Sequence, residues 1–121
     1  MATIIVIDDD PNILEILEIH LRNAGHEVLT AKDGIEGGHL ILKRRPNLII
    51  TDVEMPHMDG LELVAALRAD PALASIPVVM LTTRADWDER GKHLGVEGYV
   101  TKPILLDNLL NVIAKCMRRA A

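Results

Sequence analysis

At 121 residues, with 49% hydrophobic and 26% charged positions, the chain has the size and balance of one globular domain with a substantial core. Its net charge of −5 argues against direct binding of nucleic acid, its longest apolar runs fall far short of a membrane span, and no signal peptide precedes the first apolar run. The single Cys116 excludes an internal disulfide and fits a reducing cytoplasm, and the absence of Phe argues against a stacking site for a flavin or a base.

Ile4-Ile5-Val6-Ile7 is a short aliphatic run of the kind buried on both faces of a parallel sheet, and it closes on Asp8, Asp9 and Asp10. Pro11 then suits the first position of a helix capped by Asp10; Ile13, Leu17 and Leu21 recur at helical spacing, and Gly25 stops it. Glu27 to Ala31 reads as a second strand and Gly34 to Lys43 as a second helix, weakened by Gly37 and Gly38 in its interior. Leu48-Ile49-Ile50-Thr51 is the third strand and closes on Asp52. A loop through Pro56, His57 and Met58 leads to Asp59, which can cap a helix carrying Leu61, Val64 and Leu67 on one face and ended by Asp70-Pro71. Val78 to Leu81 is the fourth strand, finishing at Thr82-Thr83. The polar segment Asp86 to Leu94, with Gly91, predicts a thinly packed helix. Gly98 to Thr101 is the fifth strand, ended by Lys102-Pro103, and a last helix places Leu106, Leu109, Ile113 and Met117 on one face.

Strands alternating with helices predict an α/β, doubly wound parallel sheet, whose ligands sit at the carboxyl ends of the strands. Four strand ends there carry polar groups: Asp8 and Asp9, Asp52, Thr82 and Lys102. Clustered carboxylates repel unless a cation joins them, and a few hard oxygen ligands suit Mg²⁺. Carboxylates, a hydroxyl and an ammonium together suit a tetrahedral dianion such as a phosphoryl group.

At these residues the chain resembles the receiver domain of bacterial two-component response regulators. The matching motifs are Val6-Ile7-Asp8-Asp9-Asp10-Pro11, Ile50-Thr51-Asp52-Val53-Glu54-Met55-Pro56-His57-Met58-Asp59-Gly60, Pro77-Val78-Val79-Met80-Leu81-Thr82 and Gly98-Tyr99-Val100-Thr101-Lys102-Pro103. The resemblance covers the chain from Thr3 to about Met117, so residues 1–121 read as one receiver domain. It implies a flavodoxin-like fold of five strands in the order 2-1-3-4-5 flanked by five helices.

By the same resemblance Asp52 is the phosphoacceptor, taking a phosphoryl group from the phosphohistidine of a sensor histidine kinase or a histidine phosphotransfer protein. Asp8 and Asp9 are the metal acids for Mg²⁺, Asp9 the direct ligand and Asp8 acting partly through water, and the backbone carbonyl of Glu54 is a further ligand. Lys102 pairs with a phosphoryl oxygen, and Thr82 turns its hydroxyl to another. Tyr99 then follows Thr82, switching a face made by the Asp86–Leu94 helix, the Tyr99 strand and the final helix for an output protein or domain. Trp87 lies on that helix. Glu54 and Arg84 occupy positions that in similar receivers flank the path of the hydrolytic water. The implied protein is a cytoplasmic signalling phosphoacceptor, not an enzyme beyond its own phosphoryl transfer and dephosphorylation, with no direct nucleic-acid or membrane contact. A phosphorylation-dependent homodimer is compatible with the resemblance. Met1, directly before the first strand, favours an amino-terminal receiver over an internal one.

Asp10 reads as a helix cap rather than a ligand. His20, His26, His39, His57 and His93 show no ligand pairing, and Met55, Met58 and Met80 read as packing. Thr83 and Ile104 depart from the family's usual small residue and Phe; the larger Thr83 would partly restrict access to the phosphoryl group. The main alternative is a Mg²⁺-dependent aspartyl phosphatase using Asp8 and Asp10, which leaves Asp52 and the Met55–Gly60 motif unexplained. A flavodoxin-like electron carrier is disfavoured because Asp8, Asp9 and Asp10 would repel its cofactor's phosphate.

Overall fold

The computed structural model describes residues 2–55, 58–83 and 95–120. Five strands form one parallel sheet in the order β2-β1-β3-β4-β5, with β1 at Thr3–Ile7, β2 at Glu27–Ala31, β3 at Leu48–Asp52, β4 at Val78–Thr82 and β5 at Gly98–Thr101. The order expected from the resemblance is the one found. Four helices are described: α1 (Pro11–Asn23), α2 (Gly34–Arg44), α3 (Gly60–Ala69) and α4 (Leu106–Ala120). The helix expected over Asp86–Leu94 lies outside the described residues, as do His57, Arg84, Trp87 and His93. No helix among the described residues is long and apolar enough to cross a membrane.

The aliphatic runs are continuous because the sheet is covered on both faces. Alternate residues of each strand point to opposite layers. Ile5, Ile7, Ile49 and Met80 meet Ile41 of α2 and Leu61, Leu63, Val64 and Leu67 of α3 in one apolar cluster. Ile4, Val6, Leu48, Ile50, Val79 and Leu81 meet Leu17 and Leu21 of α1 and Leu109 and Ile113 of α4 in the other.

Helix ends follow local chemistry. Asp10 caps α1, its carboxylate accepting from the Asn12 N–H at 2.9 Å with Pro11 next in the chain. Asp33 caps α2 through the Glu36 N–H at 2.8 Å. Asp59 and Glu62 form a reciprocal capping box at the start of α3. Gly37 costs α2 helix propensity, as expected from its interior position, but a Cβ there would run into the Ile7 side chain, so the glycine lets α2 close on β1.

The register lines up the polar strand ends. Ile7 pairs with Thr51, so Asp8 and Asp52 leave neighbouring strands at the same level. Asp52 in turn pairs with Leu81, and Thr82 with Thr101, so Thr82 and then Lys102 follow one residue further along.

Candidate functional site

Asp8 is fully inaccessible, and Asp52 and Thr82 are buried at 7% and 4% exposure, whereas Asp9 is exposed. Burying carboxylates is costly unless they are paired and hydrogen-bonded. Lys102, from the end of β5, supplies the pairing: its Nζ donates to Asp8 Oδ2 at 3.1 Å and lies 3.2 Å from Asp52 Oδ2. One ammonium thus joins two carboxylates from different strands, 94 residues separating Lys102 from Asp8. The other oxygen of Asp8 accepts the Asp10 N–H at 2.9 Å.

The three groups perturb one another. Burial, and then the negative charge of Asp8, push the Asp52 carboxyl up to about 6, with Lys102 pulling the other way. Burial also raises Asp8, opposed by the Asp10 N–H and by Lys102. Burial alone would lower Lys102, but its hydrogen bonds and charge contacts with Asp8 and Asp52 outweigh this and hold it above the usual lysine value. A carboxyl poised near neutrality in a polar cleft is the type of group found at functional sites.

Asp8, Asp9 and Asp52 each offer an oxygen within 4.8 Å of the others, a set that can hold a metal ion. All donors are hard oxygens and few in number, which fits Mg²⁺ better than a softer metal. The residues expected at the site are therefore brought together: Asp8, Asp9, Asp52, Thr82 and Lys102 share one edge. Glu54 is exposed two residues beyond Asp52. Tyr99 is half-buried against the layer beneath α2 and α3. Thr83 is exposed, and Ile104 packs at the edge of the α1/α4 layer. Asp10 is engaged as the α1 cap.

Two residues near the site were not assigned a specific contact from sequence. Gly60 lies directly against the Asp52 carbonyl, a contact between α3 and the end of β3 that spacing along the chain does not reveal. Ile16 is 53% exposed on α1 and, with Ile13, Leu17, Pro103, Ile104 and Leu106, lines a cleft of about 280 Å³ that also includes Lys102.

A doubly wound parallel sheet with a carboxylate cluster, a hydroxyl and a lysine at its carboxyl edge defines a signalling protein of the receiver type. The sequence model of the response regulator receiver domain matches residues 4–114, and the chain belongs to that family. Receiver domains are signalling proteins rather than classical enzymes. The chain is 37% identical over 121 residues to the DNA-binding dual master transcriptional regulator RpaA of Synechocystis, covering 98% of this chain and 50% of RpaA. It is 33% identical over 115 residues to Protein PilH of Pseudomonas aeruginosa, covering 93% of this chain and 95% of PilH. Among solved structures, chemotaxis response regulator CheY4 of Vibrio cholerae superposes with a TM-score of 0.90 at 36% identity, covering 96% of this chain and 98% of that one. The chain spans about half the length of curated relatives such as RpaA and PrrA.

Proposed function

We propose that residues 1–121 form a single receiver domain in which Asp52 accepts a phosphoryl group from the phosphohistidine of a sensor histidine kinase or a histidine phosphotransfer protein in the cytoplasm. The observation that carries this reading is the placement of the Asp52 carboxylate 3.2 Å from Lys102, within a cluster of three carboxylates suited to Mg²⁺. An Asp52 oxygen attacks phosphorus in line as the phosphorus–nitrogen bond of the donor breaks. The bond's electrons go to the imidazole nitrogen, which takes up a proton, and Asp52 becomes an acyl phosphate. Asp9, Asp52, the Glu54 backbone carbonyl and, less directly, Asp8 would hold Mg²⁺, which would supply positive charge to offset that of the phosphoryl oxygens. Lys102 stays anchored to Asp8 and offers its ammonium to a phosphoryl oxygen. The Thr82 hydroxyl meets another, and Tyr99 follows it, so that the Asp86–Leu94 segment, β5 and α4 present a changed face to an output protein or domain. Hydrolysis of the acyl phosphate, tuned by Glu54 and Arg84, resets the domain. The alternative of a phosphatase working through Asp8 and Asp10 is disfavoured, since Asp8 is buried beneath Lys102 and Asp10 caps α1.

Incubation with Mg²⁺ and acetyl phosphate should add one phosphoryl group, labile to hydroxylamine and mapping to the peptide containing Asp52. Stoichiometric labelling elsewhere would sink the assignment.

The donor must bring its histidine to Asp52 and so must cover this edge of the sheet. The apolar cleft between α1 and the Pro103–Leu106 segment shares Lys102 with the acceptor pocket, which makes it the contact surface for the phosphodonor protein. Ile16→Glu, at a half-exposed position outside the core, should slow transfer from the cognate phosphodonor at least tenfold, about 1.4 kcal/mol. It should leave labelling by acetyl phosphate unchanged. Equal slowing with both donors would mean that the substitution damages the pocket itself.

A further inference from the structure

We infer that Gly60 is a positioning residue for the phosphoacceptor, holding Asp52 in line with Lys102 by the direct approach of α3 to the end of β3. This rests on the acceptor role of Asp52 proposed above. Gly60 is the first residue of α3 and is buried. A Cβ built on it would overlap the backbone carbonyl oxygen of Asp52 and lie 3.1 Å from both Val53 Cα and Met80 Cε. The obstructing atom is main chain of the acceptor itself, so no side-chain rotation relieves the overlap.

Both partners are held. The Gly60 N–H donates to the Val53 carbonyl at 2.7 Å, and the Val53 N–H donates to the Leu81 carbonyl of β4 at 3.1 Å. The Asp52 carbonyl oxygen accepts the Thr51 hydroxyl at 3.0 Å, and the Asp52 side chain faces Lys102. On the other side, the Asp59–Glu62 capping box fixes the first turn of α3, and buried Leu61, Leu63, Val64 and Leu67 fix the rest. The main chain of Asp52 is therefore set between β4 and the start of α3, with a glycine as the spacer. Any larger residue must open that contact by about 1 Å to reach ordinary van der Waals separation. In-line transfer is steeply sensitive to such a shift, with about 1 Å of misplacement worth roughly 100-fold in rate.

The test compares Gly60→Ala with Gly38→Ala, using the full chain, saturating Mg²⁺ and acetyl phosphate. Gly38 sits on α2, where the nearest atom to an added Cβ is Leu63 Cδ1 at 4.0 Å. Gly60→Ala should lower the maximal labelling rate of the folded protein about 100-fold, with the half-saturating acetyl phosphate concentration little changed. Gly38→Ala should label like the parent. A residue with only a structural role would lower the melting temperature and leave the maximal rate of the folded fraction intact, and that outcome overturns the inference. If Gly60→Ala does not fold, Asp59→Ala provides the second measurement, because it frees the start of α3 while keeping the glycine. A several-fold lower maximal rate supports the inference and the parental rate overturns it. Parent protein that is never labelled at Asp52 instead overturns the acceptor reading beneath it.

Discussion

Asp52→Asn should abolish Mg²⁺-dependent labelling by acetyl phosphate and, in metal-free solution at neutral pH, should melt higher than the parent. Loss of labelling follows from removing the nucleophilic oxygen; the gain in stability follows from the environment. Burial and the neighbouring Asp8 raise the Asp52 carboxyl to about 6 in the folded protein. An unfolded chain ionises at the ordinary carboxylate value near 4. Between those two values the folded state binds a proton that the unfolded state has released, so stability falls as the pH rises through this window. Two pKa units correspond to roughly 3 kcal/mol, taken as an order of magnitude. Asparagine carries no such charge, so the variant should keep at pH 7 most of the stability that the parent has near pH 4. Asp8 is shifted in the same direction, so some of the slope should remain in the variant. Urea unfolding of both proteins from pH 4 to 8, without divalent metal, reads the effect. Parallel stability curves for the two would refute the account of Asp52 as a buried, charge-strained carboxylate.

Asp9→Ala should remove divalent metal binding and phosphorylation together. Asp8 is already engaged by Lys102 and the Asp10 N–H, whereas Asp9 is exposed at the mouth of the same cluster. Mg²⁺ keeps several waters and relies on one or two carboxylates, so each carboxylate matters. Loss of an outer-shell partner costs roughly 10–100-fold in metal affinity, and loss of a direct ligand should exceed that. Mg²⁺ should raise the melting temperature of the parent through preferential binding to the folded state, and this rise should vanish in the variant. Calorimetric titration with Mg²⁺, paired with acetyl phosphate labelling, checks both halves. Parental metal affinity in Asp9→Ala would transfer the direct-ligand role to Asp8.

Much of this was legible in the chain because its signals are local. Aliphatic runs closing on aspartates located β1 and β3 to within a residue, and Asp10 and Asp59 mark helix starts that the capping geometry bears out, whereas the Asp33 cap of α2 was not read. The family motifs supplied the strand order, and with it the meeting of Asp8, Asp52, Thr82 and Lys102 at one edge. What stayed hidden depends on contacts between distant segments. That Lys102 would bridge two carboxylates rather than face one could not be read from spacing. Gly37 and Gly60 look alike as weak helix formers, yet one meets the Ile7 side chain and the other the main chain of Asp52. Periodicity describes a single element and is silent about what lies across from it.

The three strands that carry or flank Asp52 have no solvent-accessible surface along Ile4–Ile7, Leu48–Ile50 and Val78–Leu81. Close-packed, doubly covered strands of this kind are the stiffest part of a domain. Asp52 is therefore mounted on an anvil: a group added to it meets almost no mechanical compliance from below. With Asp52 as the proposed acceptor, the displacement that phosphorylation would create is directed outward, toward the rim of the sheet. A rigid seat would make a small covalent change legible at a distance, because little of it is absorbed where it is made.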